Sequence, residues 1–241
     1  MKKDLMIELS GYNINLITNG AEDFKQIVLC FHGFNGDKWG DAYSGLKKRM
    51  KNALVCSFDS CGHGDSEVSS EEMRLDTILK EIDAVLVFLK NAAPGKPISL
   101  VAVSYGAYRV MQYLIKYSPK IQKVVYVNPA FRMLDILEKL KEFKYSALGQ
   151  DDKVVMKRSL GKFLKKDFLD DLHQNSLYQK QFNLSYETRI VVGERDSLIP
   201  IEDTLEIAKK YNYETIYVDD DHCFENKDNW QVVVDLLERG Q

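Results

Sequence analysis

Ile98-Ser99-Leu100-Val101-Ala102-Val103-Ser104-Tyr105-Gly106-Ala107 is an apolar, β-rich run that stops at one serine and passes into a helical pattern. A strand–serine–helix junction of this kind turns too sharply for bulky side chains beside the serine, so small residues flank it. Here they are Ala102, Gly106 and Ala107. The turn lifts the Ser104 hydroxyl above the edge of a sheet. The helix that begins at Tyr105 points its unpaired N–H groups at whatever Ser104 attacks. The common form of the turn is Gly-x-Ser-x-Gly, and Ala102 is the departure from it.

Upstream, Leu5–Ser10 and Tyr12–Thr18 alternate around Gly11, which predicts an antiparallel hairpin. Gln26–Phe31 is a continuous apolar run, the mark of a strand buried on both faces, and ends in the glycine-rich loop His32-Gly33-Phe34-Asn35-Gly36. A helix is expected from about Asp41 to Asn52, then a strand over Ala53–Phe58 and the polar loop Asp59–Ser66. Ser69 with Glu72 reads as a capping box, and Leu75, Ile78, Leu79, Ile82, Leu86 and Leu89 recur at helical spacing until Pro94-Gly95.

Downstream, the serine's helix runs to about Tyr117, and Lys123–Val127 is a strand ending at Asn128-Pro129. Between Ala130 and Ser185 the β pattern vanishes, and Met133, Leu137, Leu140, Leu164, Phe168 and Leu172 suggest helices. Arg189–Val192 resumes the sheet, Pro200 opens a helix, Thr215–Val218 is the last strand, and a helix carrying Trp230, Val233 and Leu237 closes the chain. Alternating strands and helices imply an α/β protein with a mostly parallel sheet. Residues 1–129 and 186–241 then form one core, and 130–185 a helical insertion.

The bulk properties exclude several classes. A chain of 241 residues with net charge -3 and no nucleic-acid motif gives no reason to expect a nucleic-acid partner. Asp4, Glu8, Asn13 and Asn15 interrupt any secretory leader, and no apolar run reaches the ~18 residues a membrane span needs. Cys30, Cys56, Cys61 and Cys223 lack metal-ligand spacing, so reduced thiols, a cytoplasmic location and no metal are expected. Nothing in the sequence fixes the oligomeric state, and a homodimer stays open.

Ligands of open α/β sheets bind beyond the carboxyl ends of the strands. His32, Asp59, Ser104, Asn128, Asp196 and His222 each follow a predicted strand, so they should share one edge. A serine hydroxyl needs a base to become a nucleophile, and a histidine held by a carboxylate supplies one near neutral pH. His173 has no loop signature and reads as a surface residue, whereas His32 and His63 lie in glycine-rich loops and His222 follows the last strand. Asp196 sits in the loop that Pro200 closes, with Asp219, Asp220 and Asp221 as rival carboxylates and Asp59 with His63 as a second acid and base.

Four motifs in order, His32-Gly33-Phe34, Asp59–Ser66, Ala102–Gly106 and Gly193…Asp196 followed by Asp221-His222, resemble the α/β hydrolases of the small serine esterase type over nearly the whole chain. The His-Gly-Phe opening, the Asp-x-x-Gly-His-Gly-x-Ser loop and the Asp-His-Cys-Phe ending are especially similar to bacterial cinnamoyl and feruloyl esterases. The resemblance implies an eight-stranded, mostly parallel sheet with helices on both faces and residues 130–185 as a lid. It implies Ser104, Asp196 and His222 as the catalytic triad and the backbone N–H groups of Phe34 and Tyr105 as an oxyanion hole. It makes His32 a brace and Asp59 and His63 structural, and it calls for no cofactor. Tyr145, Tyr178, Gln181 and Phe182 are then candidates to line an acyl or aryl pocket. The expected activity is cleavage of small-molecule carboxylic esters, short-chain acyl or hydroxycinnamoyl, through an acyl-enzyme. A thioesterase or small-peptide hydrolase would use the same groups, and a non-catalytic binder on this scaffold is the reading from another class.

Overall fold

The computed structural model describes residues 2–139, 153–155, 163–179 and 181–239. The strands are β1 (Lys2–Leu9), β2 (Tyr12–Asn19), β3 (Gln26–Phe31), β4 (Ala53–Phe58), β5 (Ile98–Val103), β6 (Lys123–Val127), β7 (Lys153–Val155), β8 (Phe163–Lys165), β9 (Glu187–Gly193) and β10 (Glu214–Val218). Eight of them form one sheet in the order β1-β2-β4-β3-β5-β6-β9-β10. The pairings β1–β2 and β2–β4 are antiparallel and the other five are parallel. The first hairpin turns at Ser10 and Gly11, both with positive φ (52° and 91°), the conformation a tight two-residue turn demands.

The central strands divide their side chains between two cores. Leu29 and Phe31 of β3, Leu100 and Ala102 of β5, Val124 and Tyr126 of β6 and Ile190 and Val192 of β9 face one side. Their neighbours Val28, Cys30, Val101, Val125, Val127 and Val191 face the other. That alternation is why the strands read as unbroken apolar runs. The helices α2 (Leu75–Ala92), α3 (Tyr105–Tyr117), α4 (Met133–Lys139), α5 (Lys166–Gln174) and α6 (Ile201–Tyr211) pack on the first face. The helices α1 (Asp41–Arg49) and α7 (Trp230–Glu238) cover the second. Gly45, in the middle of α1, lies against the Trp230 indole, where an added Cβ would come within 2.5 Å of the ring. The glycine lets α1 and α7 pack closely against each other.

Two local expectations have different outcomes. The capping box of Ser69 and Glu72 forms, but it caps a single 3-10 turn at Ser70–Glu72. The α2 helix starts later, at Leu75, whose N–H donates to Asp171 Oδ2 of α5 at 2.9 Å. Second, the described part of 130–185 is not wholly helical, because β7 and β8 pair antiparallel as a separate two-stranded sheet. Strands of three residues are too short to show an alternation of period two, so no β pattern reaches the sequence. Among the described residues, no helix is long and apolar enough to cross a membrane.

Candidate active site

Ser104 occupies the junction between β5 and α3 with φ 50° and ψ -118°. This is a region that L-residues enter only when their surroundings over-determine it. Here the surroundings do. Ser104 N–H donates to Val127 O at 3.0 Å, and its carbonyl accepts from Ala107 N–H (2.9 Å) and Ala130 N–H (3.1 Å). Gly106 is required by approach: an added Cβ would lie 2.8 Å from Phe31 O and 2.9 Å from His32 O. Ala102 is fully buried in the first core, which absorbs the methyl group that the usual glycine lacks.

Asp196 and His222 converge on Ser104 from two other strand ends. After β9 the chain turns, with Asp196 N–H donating to Gly193 O at 3.0 Å. Asp196 Oδ1 accepts the N–H groups of Leu198 and Ile199, both at 2.9 Å. Its Oδ2 lies 2.8 Å from His222 Nδ1, and His222 Nε2 lies 3.1 Å from Ser104 Oγ. A carboxylate only accepts, so Nδ1 carries the proton and the Nε2 lone pair faces the serine hydroxyl. The rival carboxylates are engaged elsewhere. Asp220 accepts from Asn229 Nδ2 at 2.8 Å, and Asp221 Oδ1 accepts from Cys223 N–H at 2.8 Å.

The His32-Gly33-Phe34 loop passes over the serine. A Cβ at Gly33 would lie 3.3 Å from Ser104 Cβ. The Phe34 ring stands edge-on to the Tyr105 ring, with centroids 5.4 Å apart. Tyr105 is the first residue of α3, so its N–H has no partner within the helix. His32 holds the loop from below, its Nδ1 2.8 Å from Gly33 O and its Nε2 accepting Ser60 N–H at 3.3 Å. Arg109, fully buried on α3, donates through Nη2 to His32 O at 2.5 Å.

Three charged groups beneath these loops have no counterpart among the motifs. Lys38 is buried with its Nζ 2.6 Å from Asp59 Oδ2 and 2.7 Å from Asp65 Oδ2. Burial alone would lower its pKa, but the two carboxylates outweigh that and raise it. Asp59 also accepts the backbone N–H groups of Lys38 (2.6 Å) and Asp65 (3.0 Å), so it ties two loops together. Glu81 of α2 accepts from Ser60 Oγ (3.0 Å), Cys61 N–H (2.9 Å) and Tyr12 OH (3.1 Å). Burial pushes its pKa up to about 7, against the opposing pull of those bonds and of Arg109. The sequence does carry a signal for both buried helical charges. Glu81 and Arg109 lie on the apolar stripes of their helices, beside Ile78, Ile82 and Val85 and beside Tyr105 and Tyr108.

A cavity of about 210 Å³ opens beside Ser104 and His222, bounded by Gly33, Phe34, Asp37, Asp41 and Cys223. Of the four pocket candidates, Tyr145 lies outside the described residues. Tyr178, Gln181 and Phe182 are not brought to this cavity. Tyr178 lies under the Arg132 guanidinium at 3.6 Å and donates to Asp203 O at 2.6 Å. Phe182 packs on the first core beside Leu75 and Leu79, and Gln181 is exposed. Helical spacing marks apolar side chains but not which of two faces they meet. His173 is exposed. Cys30, Cys56 and Cys61 are buried thiols and Cys223 is exposed, and no group of three His, Cys, Asp or Glu side chains among the described residues is arranged to hold a metal ion.

The chain is similar to known hydrolases in both sequence and shape. A family model described as "Serine aminopeptidase, S33" matches residues 22–193. A curated relative, the proline iminopeptidase PfmaB of Pestalotiopsis fici, is 26% identical over 122 residues, 49% of this chain and 41% of its own. The chain thus spans about two fifths of that relative's length. Est1E from Butyrivibrio proteoclasticus, solved with ferulic acid bound, superposes with a TM-score of 0.81 at 19% identity, covering 97% of this chain and 96% of its own. Mouse alpha/beta hydrolase domain-containing protein 10 gives a TM-score of 0.75 at 15% identity, covering 98% and 97%. At such identities the two structures speak for the fold alone. With the family model spanning more than half of its length, the chain belongs to this serine aminopeptidase family, and it has the α/β-hydrolase fold.

Proposed function

We propose that the protein is a serine esterase that cleaves small carboxylic esters, of the short-chain acyl or hydroxycinnamoyl type, through an acyl-enzyme. Ser104 Oγ attacks the ester carbonyl while His222 Nε2 removes its proton. His222 then returns that proton to the departing alcohol, and a water activated by the same imidazole hydrolyses the acyl-serine. Asp196 holds the imidazole in the tautomer this requires and stabilises the imidazolium. The Phe34 and Tyr105 N–H groups receive the charge that develops on the carbonyl oxygen, and losing one such donor raises the barrier by roughly 3 kcal/mol. Residues 130–185 act as the cap over the acyl group. The single observation that supports this reading is the relay from Asp196 through His222 to Ser104, with contacts of 2.8 and 3.1 Å. A fluorophosphonate probe labels the wild type and not Ser104→Ala, and a p-nitrophenyl ester panel with a hydroxycinnamate ester ranks the acyl groups. Equal labelling of both proteins refutes the assignment.

A second reading, release of an N-terminal residue from a peptide, is favoured by the family description and by the iminopeptidase relative. Such an enzyme must hold the substrate's ammonium group. Asp37 and Asp41 border the cavity, and Asp41 is paired with Lys227 at 2.8 Å. Amino-acyl p-nitroanilides turned over faster than p-nitrophenyl esters would replace the esterase reading with this one.

A further inference from the structure

Asn128 follows β6, is 1% exposed and has φ 43°, a left-handed conformation that asparagine tolerates better than most residues. Its Oδ1 accepts Gly193 N–H at 2.7 Å, and its Nδ2 donates to Asp221 O at 2.8 Å and His222 O at 3.2 Å. The orientation of the amide is fixed by its partners, since Gly193 offers only a donor there and the two carbonyls only acceptors. Gly193 O in turn receives Asp196 N–H at 3.0 Å, so one face of the amide anchors the base of the Asp196 turn. The other face anchors the backbone that carries the His222 ring. The same corner holds the serine, because Val127 O accepts Ser104 N–H and Ala130 N–H donates to Ser104 O, at 3.0 and 3.1 Å.

We propose that Asn128 is a positioning residue that sets the offset between Asp196 and His222, so that the imidazole meets Ser104 in line. This rests on the serine-hydrolase reading of those three residues. Other bonds tie the ends of β9 and β10: Glu194 N–H reaches Val218 O and Arg195 N–H reaches Asp220 O, both at 2.9 Å. They hold residues 218–220, and the Asn128 side chain reaches the next two, 221 and 222. A carboxamide is needed because the position must accept on one side and donate on the other.

The test compares wild type with Asn128→Asp and Asn128→Gly. The aspartate keeps the shape and the acceptor for Gly193 but sets a second oxygen against two carbonyl oxygens. The glycine tolerates the positive φ and deletes all three bonds. Both are expected to lower kcat on p-nitrophenyl butyrate, and the rate of fluorophosphonate labelling, by roughly 10²-fold, the usual effect of misplacing a reacting group by ~1 Å. KM should stay within about threefold, because ground-state binding does not pass through this amide. The aspartate regains a donor when protonated, so its activity relative to wild type should rise between about pH 8 and about pH 5. A purely structural role leaves that ratio flat. In proton NMR, the downfield His222 Nδ1–H resonance should shift or broaden in both variants. Wild-type kcat in either folded variant, a KM rise with unchanged kcat, or a flat pH ratio overturns the proposal. Unfolding of both variants overturns it in favour of a structural role. Failure of the underlying reading looks different: the wild type itself is then not labelled at Ser104, while the Nδ1–H resonance still reports whether Asn128 sets the Asp196–His222 contact.

Discussion

Replacing Ser104 by alanine and by glycine should give proteins of different stability, with glycine the more stable. Both substitutions remove Oγ and with it the 3.1 Å contact to His222. They differ in the Cβ, which alanine retains at φ 50° and ψ -118°. An L-residue held in so sparse a region costs about 1–3 kcal/mol, and glycine escapes that cost. Neither variant relaxes the turn, because the backbone hydrogen bonds to Val127, Ala107 and Ala130 are independent of the side chain. Against the gain stands the greater freedom of glycine in the unfolded chain, about 0.5–1 kcal/mol.

The balance is about 1 kcal/mol in favour of Ser104→Gly over Ser104→Ala, from the midpoints of the two ranges. For a chain of 241 residues this corresponds to about 2–4 °C in Tm. Urea titrations and calorimetric scans of the two purified variants measure it, and equal m-values keep the comparison within one unfolding transition. Both proteins lack the Ser104 hydroxyl, so differences in activity do not enter. A glycine variant no more stable than the alanine variant would show that the turn carries no strain and that the positive φ is cost-free here.

Two further substitutions test the charges beneath the site. Lys38→Met strands the Asp59 carboxylate, whose side chain is 1% exposed, and should destabilise the fold by about 3–5 kcal/mol in urea, and a loss below about 1 kcal/mol would contradict the ion pair's role. Glu81→Gln should flatten the pH dependence of stability: burial lifts the folded pKa from 4.5 to about 7, so the folded chain binds the proton more tightly than the unfolded one. Its contribution is therefore full below about pH 4.5 and lost as pH rises through about 7, a change of at most about 3 kcal/mol, and an unchanged slope of stability against pH in the variant would refute it.

The central strands were legible in the sequence because they are buried on both faces. Gln26–Phe31, Ala53–Phe58, Ile98–Val103 and Lys123–Val127 appear at their expected bounds. Ser104, Asp196 and His222 could be brought to one edge by topology, since parallel strands deliver their carboxyl ends together. Pairing them by motif order required only that the three strands share a sheet. What escaped was whatever depended on a single long-range contact. Leu75 is capped by Asp171, a carboxylate that the sequence places on a different helix. Gly45 is small because Trp230 lies on it, a dependence invisible from either residue alone. Tyr178 belongs to Arg132 and Asp203, not to the cavity by Ser104, because aromatic spacing does not say which neighbour a ring meets.

The loops at the carboxyl edge have no ladder to satisfy their backbone groups, and the protein meets that need with side chains reaching from elements remote in sequence. Asp59 takes the N–H groups of Lys38 and Asp65, Glu81 takes that of Cys61, and Arg109 gives to His32 O. Each bond does two things at once, since a buried backbone group left unmet would cost about 1–3 kcal/mol and since each fixes the height of a loop over Ser104. Apolar packing is non-directional, whereas the contacts of 2.8 and 3.1 Å among Asp196, His222 and Ser104 depend on direction. The final placement of the loops is polar. On the proposed esterase reading, substitutions among Asp59, Glu81 and Arg109 should therefore lower the turnover of p-nitrophenyl esters as well as stability in urea, although none of the three touches the Ser104–His222 pair.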